Sequence, residues 1–182
     1  MKLKLTIVLV AFCLFKQICK AQGNIFQPQK IINLSETTDT TIFIYTTALW
    51  CRPCLDKMPT LDAYFKKTKQ KIKIIYLFDN DGFSIAKAKK TFPHIDFSGK
   101  YLLIDDSLYP KGFIQVNPSN KMFKKLANII KLSNTNAIGL DNLSLSNFII
   151  FYPSKKIVVR DSPNVNGLKL FELEQLFTEL SK

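Results

Sequence analysis

The sequence predicts an α/β fold: a central mixed β-sheet flanked by helices, with a helical insertion before a C-terminal hairpin. Three observations carry that expectation. First, two apolar and β-branched runs, residues 41–47 and 73–78, have the length and near-continuous hydrophobicity of strands buried on both faces. Second, the stretch between them, residues 55–67, places Leu55, Met58, Leu61, Tyr64 and Phe65 at three- and four-residue spacing, the signature of one buried helix face. Strand, helix and parallel strand then form a right-handed βαβ unit. Third, residues 148–151 and 156–159 flank Tyr152-Pro153-Ser154-Lys155, whose turn-forming residues predict a hairpin.

The remaining elements follow in order. Residues 30–34 are apolar enough for a short first strand, and residues 35–40 form a turn-rich connection. Asp79-Asn80-Asp81-Gly82 ends the second long strand as a turn, since the regular ligand spacing of a calcium loop is missing. Residues 83–91 predict a short basic-faced helix stopped by Pro93, and residues 101–105 another short strand. Residues 119–132 predict a helix, with Met122, Phe123, Leu126, Ile129 and Ile130 inward and lysines outward. Residues 134–142 read as a loop, and residues 168–180 as a final amphipathic helix.

At 182 residues the chain suits one domain with a sizeable core. The expected division is a signal peptide at 1–21, a flexible segment at 22–29 and one folded domain at 30–182. Lys2 and Lys4 precede an apolar run at residues 5–15, and Cys19-Lys20-Ala21 offers a cleavage site after Ala21. Eleven residues are too few to span a bilayer, so no lasting membrane association is expected after cleavage. A lipid anchor on Cys19 is disfavoured, because Lys16-Gln17-Ile18 lacks the Leu-x-small pattern. Cleavage removes four of the 26 basic residues, leaving 22 against 14 acidic ones, a net charge of +8. The lysine runs read as solvated helix faces. With no interleaved aromatic face or known module, nucleic acid is excluded as a partner.

Cleavage also removes Cys13 and Cys19, leaving Cys51 and Cys54 as the mature chain's cysteines. In an oxidising compartment such a pair closes on itself or on a partner protein. A four-residue loop constrains the unfolded chain too little for a structural staple, so redox use is expected. The pair lies where a strand turns into a helix. Free N–H groups and the macrodipole at the helix start favour an anion, which makes Cys51 the attacking thiolate and Cys54 the resolving thiol. One histidine, His94, cannot complete a zinc site with two cysteines, and it reads as a surface residue. No cofactor or metal is expected.

The block Ala48-Leu49-Trp50-Cys51-Arg52-Pro53-Cys54, with Met58-Pro59 downstream, resembles the active site of the thioredoxin superfamily. Within it, the resemblance is to the TlpA/ResA-like extracytoplasmic thiol-disulfide oxidoreductases. It implies a thioredoxin-like fold from about residue 30 onward, a periplasmic or envelope location, and exported proteins with cysteines or disulfides as partners, besides a redox partner protein. It also implies that Trp50 packs beside the reactive sulfur and that Pro59 kinks the active-site helix. Pro53 rigidifies the turn. Arg52 either favours the thiolate by its charge or points into solvent.

Two positions depart from the family pattern. The cis-proline that relatives place on the first hairpin strand, facing the cysteines, falls here at Ser146-Asn147, so a trans peptide is expected. The family's buried acid, six residues before the first cysteine, is replaced by Tyr45, which cannot accept a proton near neutral pH. Deprotonation of Cys54 then falls to water or another group. Two competing functions follow: a non-catalytic binding module on a thioredoxin scaffold, and soft-metal handling, such as copper(I), by the two sulfurs.

Overall fold

The computed structural model describes residues 25–79, 83–95, 97, 100–108 and 120–180. The expected signal peptide and the Asp81-Gly82 turn lie outside these residues. The described elements are α1 (Pro28–Thr38), β1 (Thr41–Thr47), α2 (Arg52–Lys67), β2 (Ile72–Phe78), α3 (Ile85–Thr91), β3 (Tyr101–Leu103), α4 (Asn120–Ser133), β4 (Ala137–Ile138), β5 (Asn147–Phe151), β6 (Ile157–Asp161) and α5 (Leu170–Leu180).

The strands form one six-stranded sheet in the order β3-β2-β1-β5-β6-β4. β1 runs parallel to β2 and antiparallel to β5, so the sheet is mixed, as expected. Thr47 faces Phe78 across the β1–β2 pair, and both strands end at the edge where the cysteine motif begins. β5 and β6 form the hairpin, with Lys155 in the left-handed region at φ 65°. A βαβ unit, intervening helices, a hairpin and a closing helix make this a thioredoxin-like fold.

Strand alternation sorts the side chains into two cores. On one face Phe43, Tyr45, Tyr76, Phe78, Phe148 and Ile150 pack against α2 and α5. On the other, Ile42, Ile44, Leu77, Ile149 and Phe151 pack against α1 and α4. With helices on both faces, the central strands need no polar side; all seven residues of β1 are buried.

Three expectations are corrected. The short strand expected at residues 30–34, and the turn-rich segment after it, are one helix, α1. Pro28 stands in its first turn, and Ile31, Ile32 and Ser35 form its buried face while Leu34 points out. The helix ends where Asp39 turns left-handed, with φ 47°. Residues 25–29, expected to be loose, are tied to the sheet: Phe26 is buried, and its N–H donates to Leu103 O at 2.9 Å. The loop expected at 134–142 contains edge strand β4, parallel to β6 through Ala137 and Ile138. A two-residue strand leaves too short a pattern for sequence periodicity to find.

Candidate functional site

The site is assembled where β1 gives way to α2. Ala48 is buried, and its carbonyl accepts the Cys51 N–H at 3.1 Å, closing the turn that sets the cysteine at the helix start. Cys51 is the N-cap of α2, and its carbonyl accepts the N–H groups of Cys54 and Leu55, both at 3.0 Å. Arg52 and Pro53 complete the first turn, where proline's missing N–H costs nothing. No acidic residue stands in that turn, while Lys66 and Lys67 occupy the last one. The helix dipole is thus left free to favour negative charge at Cys51.

Cys51 and Cys54 form a disulfide, with Cα atoms 5.3 Å apart. Their environments differ. Cys51 is partly exposed, whereas Cys54 is fully buried in the core beneath α2. Cys51 presents part of its surface to solvent, and Cys54 presents none.

The flanking residues sit as follows. Trp50 is 38% exposed, and its indole Nε1 donates to Asp79 Oδ2 at 3.2 Å, pinning the ring to the end of β2. The Arg52 side chain lies in solvent and pairs with Asp56 at 2.8 Å, so water and a counter-charge screen it. Pro59 stands exposed inside α2. A groove beside Arg52 runs between α2 and the segment after α3, lined by Leu55, Pro59, Phe92, His94 and Ile95. His94 is exposed, and its carbonyl accepts a hydrogen bond from Lys66.

The Ser146-Asn147 position faces the helix from the start of β5. Among the described residues every peptide bond is trans, and Ser146 takes the left-handed conformation at φ 63°. Its main chain is spent within the fold: the N–H donates to Thr46 O at 2.9 Å, and the carbonyl accepts from Ser162 N–H at 3.0 Å. Asn147 is buried and organises this corner. Its Oδ1 accepts from the Ser144 N–H and hydroxyl, and its Nδ2 donates to Asp161 at 2.7 Å.

Behind Cys54 lies a polar chain. The Tyr45 hydroxyl donates to the Cys54 carbonyl at 3.0 Å and lies 3.2 Å from Ser146 Oγ. Burial pushes the Tyr45 phenol up to about 12, and the Ser146 hydrogen bond offsets part of that rise. The Lys57 ammonium donates to Ser146 Oγ at 3.1 Å and to the Ser162 carbonyl at 3.0 Å. Burial lowers the Lys57 pKa from its usual value, and the Asp161 charge opposes that shift. Sequence reading missed Lys57, Asp161 and Ser162. Only the three-residue step from Cys54 to Lys57 was visible in the chain, and it was one lysine among many.

Among the described residues no three His, Cys, Asp or Glu side chains are grouped to hold a metal ion, and no helix is long and apolar enough to cross a membrane.

No protein-family model matches the chain, and no curated protein matches it. Among the solved structures similar to it are two thiol-redox proteins. One is the pneumococcal exposed lipoprotein thioredoxin of Streptococcus pneumoniae strain TIGR4, at 16% identity over 81% of this chain and 89% of that one, with TM-score 0.44. The other is a Bacteroides vulgatus protein described as a candidate thiol-disulfide oxidoreductase, at 16% identity over 82% of this chain and 77% of that one, with TM-score 0.44.

Proposed function

We propose that the protein is an exported thiol-disulfide oxidoreductase that exchanges disulfides with partner proteins through Cys51 and Cys54. The observation that carries this reading is the asymmetry of the pair: a partly exposed cysteine at a helix start, bonded to a fully buried one. In the reducing direction, the Cys51 thiolate attacks one sulfur of a partner's disulfide and expels the other as a thiolate. The Cys54 thiolate then attacks Cys51 Sγ, closing the Cys51–Cys54 bond and releasing the partner's second thiolate. Two electrons pass from the pair to the partner, and the protons go to solvent and to the departing thiolates. The oxidising direction is the reverse.

The helix dipole at Cys51 supports its role as the attacking group. Export to the periplasm or envelope rests on the charged-then-apolar pattern of residues 1–21. The partners are exported proteins carrying cysteines or disulfides, and a second redox protein that resets the pair.

A second reading, a non-catalytic binding module, is favoured by one specific observation. The Ser146 N–H and carbonyl, at the position where the family resemblance places a substrate groove, are hydrogen-bonded within this fold.

The deciding measurement is the reduction potential of the pair, by equilibration with glutathione or dithiothreitol buffers, together with turnover of a protein disulfide such as that of insulin. A reversible two-electron couple with turnover is expected. A value near about −270 mV marks a reductase, and one near about −120 mV an oxidant. A reversible couple with no turnover supports the binding module, and the absence of a couple overturns the redox reading altogether.

A further inference from the structure

We propose that Lys57 is a positioning residue for Cys54: its ammonium, anchored on Ser146 and Ser162, stabilises the Cys54 thiolate in the resolving step. This rests on the exchange reading above and concerns the cysteine whose ionisation Tyr45 does not assist.

Three placements carry the inference. Lys57 lies three residues beyond Cys54 on α2, so the two side chains leave neighbouring positions on one helix face. The ammonium is turned toward the sheet rather than into water, held by Ser146 Oγ at 3.1 Å, Ser162 O at 3.0 Å and Ser162 Oγ at 3.4 Å. Finally, Ser146 Oγ meets the Tyr45 hydroxyl, which donates to the Cys54 carbonyl, so one hydrogen-bonded chain ties the lysine to the cysteine's own backbone.

The electrostatics agree. Cys54 is fully buried, which by itself opposes ionisation. The groups facing Lys57 are Tyr45 from β1, whose phenol stays neutral, and Asp161 from β6, which Asn147 holds by a hydrogen bond. On α2 itself, Asp56 is committed to Arg52. Burial lowers the Lys57 pKa, so a new negative charge nearby is favourable to the ammonium. The two groups therefore titrate as a coupled pair, each favouring the charged form of the other.

In the step itself, the Cys54 thiol gives its proton to water. Its electron pair forms the bond to Cys51 Sγ while the Cys51–partner S–S bond breaks, and the partner departs with that bond's electrons. Lys57 keeps its own protons and acts by charge.

The test uses an aromatic disulfide, 5,5′-dithiobis(2-nitrobenzoate), mixed with reduced protein in stopped flow. Cys51 attack releases one coloured thiolate, and Cys54 resolution releases a second. In the wild type the second phase speeds up with pH until Cys54 is ionised. In Lys57→Met that inflection moves up by about one pH unit, a tenfold loss of thiolate at lower pH. The remaining thiolate is more nucleophilic, so the second phase slows about threefold. The first phase is unchanged, and Lys57→Arg restores the wild-type profile.

An unshifted profile in Lys57→Met overturns this proposal and leaves the exchange reading intact. If the wild type releases no second thiolate, both fall. Should Lys57→Met fail to fold, Lys57→Gln carries the test by removing the charge while keeping a polar donor: an upward shift supports the proposal, and no shift overturns it.

Discussion

The hydroxyl of Tyr45, on the central strand, donates a hydrogen bond to the carbonyl of Cys54, on the helix above it, at 3.0 Å. Strand and cysteine helix are thus joined directly beneath the disulfide, by a group that stays protonated at neutral pH. Tyr45→Phe removes this bond while keeping the ring against Phe148 and Tyr76. A loss of about 1 kcal/mol is expected, because the Cys54 carbonyl retains its place in the helix. The urea midpoint checks it, and an unchanged midpoint means the bond contributes nothing net.

The same residue sets a limit at high pH. Its phenol is pushed up to about 12, and burial also raises Tyr64, Tyr76 and Tyr152, with the Asp62 charge a second cause at Tyr76. The folded chain therefore holds these protons more tightly than the unfolded chain, whose tyrosines ionise near pH 10. Below pH 10 both states keep them and stability is whole. As pH rises from about 10 toward about 12 the unfolded state loses protons first, and stability falls. Phenolate absorbance across this range is expected to appear in part together with unfolding, seen in parallel by circular dichroism. Full phenolate absorbance at pH 10.5 with the fold intact contradicts it.

Much of this arrangement was legible in the sequence because it depends on local pattern. The run from Thr41 to Thr47 and the step from Cys51 to Cys54 are contiguous, and each carries its own signature. Helix α1 was misread because the adjacent pair Ile31 and Ile32 fits a strand as well as a helix, and only exposed Leu34 separates the two. Lys57 was invisible for another reason. Its partners Ser146 and Ser162 are 89 and 105 residues away, and only the closed sheet brings them together.

The burial difference between the cysteines predicts a difference in reactivity. Cys51 is partly exposed at a helix start, whereas Cys54 is covered. Iodoacetamide at neutral pH is expected to modify Cys51 at least about tenfold faster, since the thiolate is the reactive species. With a partner disulfide, Cys54→Ser should accumulate the mixed disulfide of Cys51 with one partner sulfur, the other leaving as a thiolate, and Cys51→Ser should not. Peptide mass spectrometry reads both results, and equal labelling removes the basis for assigning the two roles.

Asn147 predicts the strength of the corner facing the cysteines. Its side chain joins Ser144 to Asp161, and its N–H donates to Thr46 Oγ1 at 2.9 Å. Asn147→Ala removes the side-chain bonds to Ser144 and Asp161, both exposed residues, and keeps the main-chain bond to Thr46, at an expected cost of about 1–2 kcal/mol. Because Asp161, which faces Lys57, then loses its tether, the Cys54 phase should change along with stability. A variant that loses stability with both thiol phases untouched would show that the corner is structural alone.

Phe177 tests whether stability and the cysteine site can be separated. On α5 its ring stacks on Tyr64 at 4.7 Å and meets Phe65 at 4.9 Å, Phe43 at 5.3 Å and Phe148 at 5.8 Å. This aromatic cluster closes one face of the sheet and holds the C-terminal helix on it. Phe177→Ala is expected to cost about 3–5 kcal/mol through lost contact and the cavity left behind. For a chain of this size that lowers Tm by roughly 10 °C. Tyr64 and Phe65 lie near the far end of α2 from the cysteines, which are fixed instead by Ala48, Tyr45 and the Ser146 corner. Below its lowered Tm the variant should therefore keep both thiol phases at wild-type rates. Slowed phases in fully folded variant protein would mean that α2 transmits the packing of its C-terminal half to Cys51 and Cys54, and that the two ends of the helix are not independent.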